Sequence, residues 1–210
     1  MEIKTVFFDI GGVIIDNPHS SLVEYCEDYF KKDKDYKKAD FSKFKSAFNK
    51  YYPQFQTGLG ERVFWYRVLS ECNNPSGVFL WHEIWGDACV KKFKHREFIL
   101  NLIKELSGKR YKLGIISNIE VPSLSFLFAS IWGKYYYLFD KWIFSCYEGM
   151  LKPDMAIYKL ALKELRSAPE ETIFIDDKIE NCVSAEMLGI NTIHYTGYDD
   201  FENRLYGYLK

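Results

Sequence analysis

The sequence predicts an α/β fold, a parallel β-sheet covered by helices on both faces and interrupted by an inserted α-helical cap, and three observations support this. Short apolar runs rich in β-branched and aromatic residues recur along the chain. Amphipathic segments of helical length separate the later runs. One long interval breaks the alternation.

The first run, TVFFDI, lies at the start of the chain, followed by YKLGIIS, KWIFS and TIFID, each ending at polar residues or glycine. Continuous apolar runs of this length suit parallel strands buried on both faces. From Asp154 to Leu165, Ile157, Leu160, Ala161 and Leu165 mark one face of a helix, and a second helical segment runs from Ile179 to Leu188 after Asp176 and Asp177. A fifth strand, INTIHY, and a terminal helix beyond Tyr198 complete a Rossmann-like sheet. Between Asn17 and about Lys94 there are aromatic-rich helical patterns and no convincing strand. The expected organisation is therefore a core domain of residues 1–16 and 95–210 with a helical cap of residues 17–94.

With 210 residues the chain can bury one substantial core and carry an insertion. Lys and Arg total 28 against 29 Asp and Glu, so no electrostatic excess points to nucleic acid or an anionic membrane. A local surplus occurs in residues 31–50, where eight Lys face three Asp, and it reads as a solvated helix face. MEIKTVFFDIGG lacks the regions of a signal peptide, and no stretch reaches the length of a membrane span. The expectation is a cytoplasmic monomer or homodimer. Cys26, Cys72, Cys89, Cys146 and Cys182 have no CxxC spacing and read as reduced thiols.

Ligands of an open parallel sheet bind beyond the carboxyl ends of its strands. Here those ends carry Asp9, then Ser117 and Asn118, then Asp176 and Asp177, while Lys152 follows the third run through CYEGMLKP. Carboxylates ligate magnesium, and a lysine with amide and hydroxyl donors neutralises the oxygens of a transferring phosphoryl group. Asp9 is the natural nucleophile of the set. Gly11 and Gly12 would let the backbone approach a phosphate and offer its N–H groups. The same residues also fit a plainer account, in which the glycines are a tight strand exit and Asp9 a turn or cap residue.

Taken together, the segments resemble the motifs of haloacid dehalogenase-like hydrolases: FFDIGGVI the first, IISN the second, GMLKPD the third and FIDDKIEN the acidic fourth, in the family's order. The resemblance spans nearly the whole chain, and the insertion falls where the family's first cap class is placed. It implies a magnesium-dependent phosphatase acting on a small phosphorylated metabolite through an aspartyl-phosphate. In it Asp9 is nucleophile and metal ligand, and Asp177, with help from Asp176, holds the cation. The backbone carbonyl of Gly11 adds a further contact. Ser117 and Asn118 would meet the phosphoryl oxygens with Gly11 and Gly12, Lys152 would pair with nucleophile and phosphate, and Asn181 would brace the metal site.

One departure matters. Phosphatases of the family usually carry a second aspartate two residues after the nucleophile, as general acid and base, and here that position is Gly11. Its loss is worth roughly 10²–10⁴-fold in rate. Three explanations follow: a substrate with a good leaving group, as in a branch acting on glucose 1-phosphate that this chain is similar to; a replacement group such as Asp16 or His19; or a degenerate member that binds a phosphorylated ligand or a protein without turnover. A dehalogenase is a weaker alternative, because the fourth motif keeps two adjacent aspartates. In the cap, Tyr51, Tyr52, Phe55, Trp65, Tyr66 and Arg67 could face a sugar or nucleoside ring, although aromatics at helical spacing, like Trp81 and Trp85, more often pack a core.

Overall fold

The computed structural model describes residues 2–16, 19–32, 38–74, 81–109, 111–130 and 132–209. The five apolar runs form strands β1 (Thr5–Phe8), β2 (Lys112–Ser117), β3 (Lys141–Phe144), β4 (Thr172–Asp176) and β5 (Asn191–His194). They make one parallel sheet of order β3-β2-β1-β4-β5. From β1 the chain moves outward to β2 and β3, then crosses back to place β4 on the other side of β1. The crevice at the carboxyl ends of β1 and β4 is therefore the topological switch point, where such sheets bind ligands.

Alternation along the strands feeds two layers. Val6, Phe8, Leu113, Ile115, Ile173 and Ile175 face α5 (Glu97–Gly108) and α10 (Tyr198–Tyr208), whose Ile99, Ile103, Phe201 and Leu205 complete that core. Phe7, Ile116, Ile143 and Phe174 face the opposite way, onto Ile157, Tyr158 and Ala161 of α8 (Met155–Leu165) and Ala185 of α9 (Ile179–Glu186). Two further helices, α6 (Val121–Ser130) and α7 (Ser145–Glu148), follow β2 and β3.

Between β1 and α5 lie α1 (His19–Lys32), α2 (Phe44–Gln56), α3 (Glu61–Glu71) and α4 (Trp81–Lys92). They share a separate aromatic core in which Phe30, Phe44, Phe48, Phe55, Phe64, Trp65 and Trp85 are fully buried. Phe55 and Phe64 stack at 4.3 Å, and Trp65 meets Trp85 edge-on at 5.7 Å. Most of the cap aromatics that could have met a substrate are thus spent on packing, which is the largest available gain from burying such rings. Tyr51 donates to Glu71 at 2.8 Å, Arg67 pairs with Gln54, and Tyr66 is exposed. The side chain of Trp81 lies outside the described residues, as do Lys34 and Lys37. Lys31, Lys32, Lys38, Lys43, Lys45 and Lys50 are all exposed, as a solvated face requires.

The chain leaves the sheet layer at Asp16 and returns at Lys94, and the two crossings are paired. Asp16 N donates to Lys94 O and Arg96 N to Ile14 O, both at 2.8 Å, around an antiparallel bridge between Ile15 and His95. All five cysteines are buried free thiols. Among the described residues, no helix is long and apolar enough to cross a membrane.

Candidate active site

The strand ends bring Asp9, Asp176, Asp177 and Lys152 together. Asp9 follows β1 directly, and its N–H donates to Ile175 O at 2.9 Å, which fixes it beside the end of β4. Lys152 arrives from the loop after α7 and is buried. Its Nζ lies 2.9 Å from Asp9 Oδ1 and 2.6 Å from Asp176 Oδ2, and it donates to Ile116 O at 2.8 Å. Burial alone would lower the Lys152 pKa, but the carboxylates of Asp176 and Asp9 reverse that and hold it raised. Asp9 is pushed up to about 6, chiefly by burial, with Lys152 opposing and the charge of Asp176 adding to the rise.

Asp9 and Asp176 thus share one ammonium, with Asp177 beside them. Oxygens of Asp9, Asp176 and Asp177 lie within 4.8 Å of one another, a hard-oxygen donor set that fits a magnesium ion. With all three ionised, the group retains two negative charges beyond what Lys152 neutralises, and a divalent cation balances them. Gly12 completes the cradle: its φ is +80°, and a Cβ there would stand 2.2 Å from Asp177 Oδ2. Asp177 packs in the space that a side chain would fill.

Asp176 does more than cap the following helix. Its Oδ1 accepts from Lys178 N at 2.8 Å and from Asn181 Nδ2 at 2.9 Å, while Oδ2 holds Lys152. Asn118, expected at the phosphoryl oxygens, lines the cavity and has a second task. Its amide clamps the backbone of Lys152 in both directions, Nδ2 donating to Lys152 O and Oδ1 accepting from Lys152 N, each at 2.9 Å. The side chain therefore positions the lysine. Ser117 ends β2, buried, and lines the cavity with Asp9, Gly11, Asn118, Lys152 and Asp177.

The far side of this cavity, of about 180 Å³, is formed by the cap and by the segment after β2. Ile15, Leu22, Phe93 and Ile119 give it an apolar wall, with His19, Tyr52, Gln56, Glu120 and Ser123 as polar groups. Tyr52 is the one aromatic of the stretch 51–67 in the lining. Its hydroxyl donates to Glu120 Oε2 at 3.1 Å, Ser123 donates to Glu120 Oε1, and Trp85 Nε1 donates to Ser123 Oγ at 3.1 Å. Glu120 is buried, and burial raises its pKa despite these donors. The group ties two cap helices to the core. Sequence reading missed it, although Glu120 stands only two residues past Asn118.

Arg96 was also missed. Its Nη1 donates to the carbonyls of Gly12, Val13 and Ile15 at 2.8, 3.1 and 2.9 Å, and Nη2 pairs with Asp16 at 3.0 Å. Asp16 is thereby drawn away from the cavity, whereas His19 lines it. His194 Nε2 donates to the carbonyl of Asp177 at 3.0 Å, steadying the acidic corner.

A Rossmann-like sheet with a buried lysine and a carboxylate cradle at its switch point is the kind of site on which a hydrolase is built. The sequence profile of haloacid dehalogenase-like hydrolases matches residues 3–189, and the chain belongs to that family. A sesquiterpene phosphatase of Aspergillus oryzae is 36% identical over 98 residues, 46% of this chain and 48% of that protein, so the match spans about half of the relative's length. A HAD family enzyme of Bacteroides thetaiotaomicron, solved as a magnesium complex, superposes with a TM-score of 0.75 at 23% identity, covering 98% of this chain and 99% of that one. The same enzyme was also solved with magnesium and inorganic phosphate. An L-2-haloacid dehalogenase follows at a TM-score of 0.65 and 17% identity, covering 94% and 89% of the two chains. At these identities the structural likeness shows the fold.

Proposed function

We propose that this chain is a magnesium-dependent phosphatase that hydrolyses a small phosphorylated metabolite through an aspartyl-phosphate on Asp9. The observation that carries the reading is the buried ion-paired group of Lys152 with Asp9 and Asp176, set beside Asp177 at the switch point. Both contacts that Asp9 accepts among the described residues fall on Oδ1, from Lys152 and from Ile10 N at 2.7 Å. That arrangement fixes the carboxylate plane and leaves Oδ2 to attack phosphorus. The P–O bond to the leaving group breaks with its electron pair going to the leaving oxygen, and water then attacks the same phosphorus to return the Asp9 carboxylate. Asp9, Asp176 and Asp177 would hold magnesium, which supplies charge neutralisation for the phosphoryl oxygens when bound. Lys152 carries a permanent positive charge to the same oxygens, and Ser117 offers a hydroxyl.

The apolar wall opposite this group favours a leaving group with a hydrocarbon or ring face, such as a sugar phosphate or, by analogy with the sesquiterpene phosphatase, an apolar alcohol. Gly11 favours one second reading, a protein that binds a phosphorylated ligand without turnover. Phosphate release from a panel of sugar 1-phosphates, acyl phosphates and prenyl phosphates, with and without magnesium, separates the two. The phosphatase predicts release that requires magnesium and vanishes in Asp9→Asn and Lys152→Ala. Ligand-induced stabilisation with no release from any compound would sink it, and halide release from 2-haloacids without added metal would replace it with a dehalogenase.

A further inference from the structure

We infer that His19 is the base that activates water in the second half of the reaction, doing from the entry of the cap what an aspartate at position 11 would otherwise do; the inference rests on the phosphatase reading above. Displacement at phosphorus is in line, so the water that splits the aspartyl-phosphate must approach from the side opposite Asp9, which the leaving group has just vacated. That side of the cavity is the cap side.

The polar groups lining it are His19, Tyr52, Gln56, Glu120 and Ser123. Tyr52 and Ser123 both give their protons to Glu120, whose two oxygens are thereby occupied and which is only 1% exposed. Gln56 donates its amide to Asn118 O at 3.0 Å and has no basic site. His19 brings an imidazole, the side chain suited to taking a proton near neutral pH. It is the first residue of α1, and its ring is seated at 4.5 Å from that of Tyr52 and 5.7 Å from that of Phe48, so packing sets its orientation.

The electrostatic surroundings suit a base. Burial is the main cause that lowers the His19 pKa; a side-chain hydrogen bond with Asn49 opposes it, and the charges of Lys178, from the loop after β4, and Lys45, on α2, add to the lowering. The neutral imidazole that results at pH 7 accepts a proton but is a poor donor. In the second half-reaction water oxygen bonds to phosphorus, the bond from phosphorus to the Asp9 oxygen breaks with its electrons returning to the carboxylate, and the water proton passes to His19 and then to solvent. In the first half-reaction His19 supplies little proton donation, so rates should rise as the leaving oxygen becomes less basic, from an alcohol through an anomeric sugar to an acyl phosphate. Gly11 leaves room beside the site, since nothing lies within 4 Å of a Cβ built there.

The test is rapid mixing with p-nitrophenyl phosphate and magnesium, a probe whose leaving group needs no proton. In His19→Ala and in the more conservative His19→Gln, a burst of roughly one p-nitrophenolate per enzyme should persist while the steady rate falls by about 10²–10⁴-fold. Adding Gly11→Asp to His19→Ala should restore much of the steady rate by supplying a carboxylate base. A steady rate in both histidine variants within about threefold of the parent would overturn the inference, as would equal loss of burst and steady rate in variants that still bind inorganic phosphate. A burst produced by Glu120→Gln with His19→Ala unaffected would transfer the role to Glu120 and overturn it equally. A parent protein that releases no p-nitrophenolate overturns the phosphatase reading and this inference with it, whereas an active parent with a silent His19 overturns the inference alone.

Discussion

Asp177 lies so close to Gly12 that the acidic corner depends on the absence of a side chain. Gly12→Ala would put a Cβ 2.2 Å from Asp177 Oδ2 at a φ of +80°, a left-handed conformation that costs an L residue about 1–2 kcal/mol. The expected outcome is a folded but less stable protein whose magnesium affinity and activity fall together, read by titrating the metal against thermal stability and rate. Asp9 gives a pH prediction. Its carboxyl is raised to about 6 in the metal-free protein, first by burial. As pH falls through about 6, Asp9 takes up a proton, so in its proposed role as nucleophile kcat/KM at limiting magnesium should drop by about tenfold per pH unit on the acid side. Bound magnesium favours the carboxylate, so saturating metal should move that limb to lower pH, and rate profiles at two magnesium concentrations check it. For stability the sign is the reverse of the usual carboxylate. The native state of the metal-free protein binds this proton more readily than the unfolded chain does, so between pH 6 and the ordinary value of 3.8 Asp9 contributes more stability as pH falls.

The element that follows Asp9 is a single tight loop whose carbonyls converge on one guanidinium. Arg96 holds Gly12, Val13 and Ile15 and pairs with Asp16, and it stands at the head of α5, where the chain re-enters the core. Hydrogen bonds to a charged donor are worth roughly 1.5–3 kcal/mol, so Arg96→Ala should lower unfolding stability by at least that range. It should also loosen the loop bearing Gly11 and Gly12, and Arg96→Lys should recover only part of the loss because a single ammonium cannot both meet the carbonyls as Nη1 does and reach Asp16 as Nη2 does. Denaturant melts and hydrogen exchange at Gly12–Ile15 check this. Nothing in the sequence announces Arg96, since its acceptors are 81–84 positions away and the spacing follows from tertiary structure alone. The strands were legible for the opposite reason: burial on both faces writes itself locally as an apolar run, and the residue ending each run stands at the crevice. Helices α8 and α9 followed from periodicity, with the end of α9 two residues earlier than expected, at Glu186. The division of labour among site residues was less visible. Asn118 looks like a phosphate donor in sequence because its amide type suits that work, and only the fold reveals that Lys152 consumes both ends of it. Similarly, Tyr52 and Glu120 become partners across 68 positions.

At the scale of the whole molecule, two cores meet across the cavity, one from the sheet layers and one from the cap aromatics, joined by the hydrogen bonds of Glu120 and Ser123 to Tyr52 and Trp85. A cation bound at the acidic corner binds only the folded chain, so magnesium at about 100 times its dissociation constant should add about 2.7 kcal/mol of stability. For a chain of this size that amounts to roughly 5–10 °C in the melting midpoint. The shift should disappear in Asp177→Asn, and differential scanning calorimetry with and without metal checks it. Where the cap joins the sheet, Asp16 and Lys94 are already hydrogen-bonded neighbours. An insertion whose two ends touch can be lengthened, shortened or exchanged without displacing either flanking segment. The strand-end residues and the cap surface facing them can therefore diversify at different evolutionary rates, with the paired backbone at the two crossings a seam that any replacement cap must reproduce.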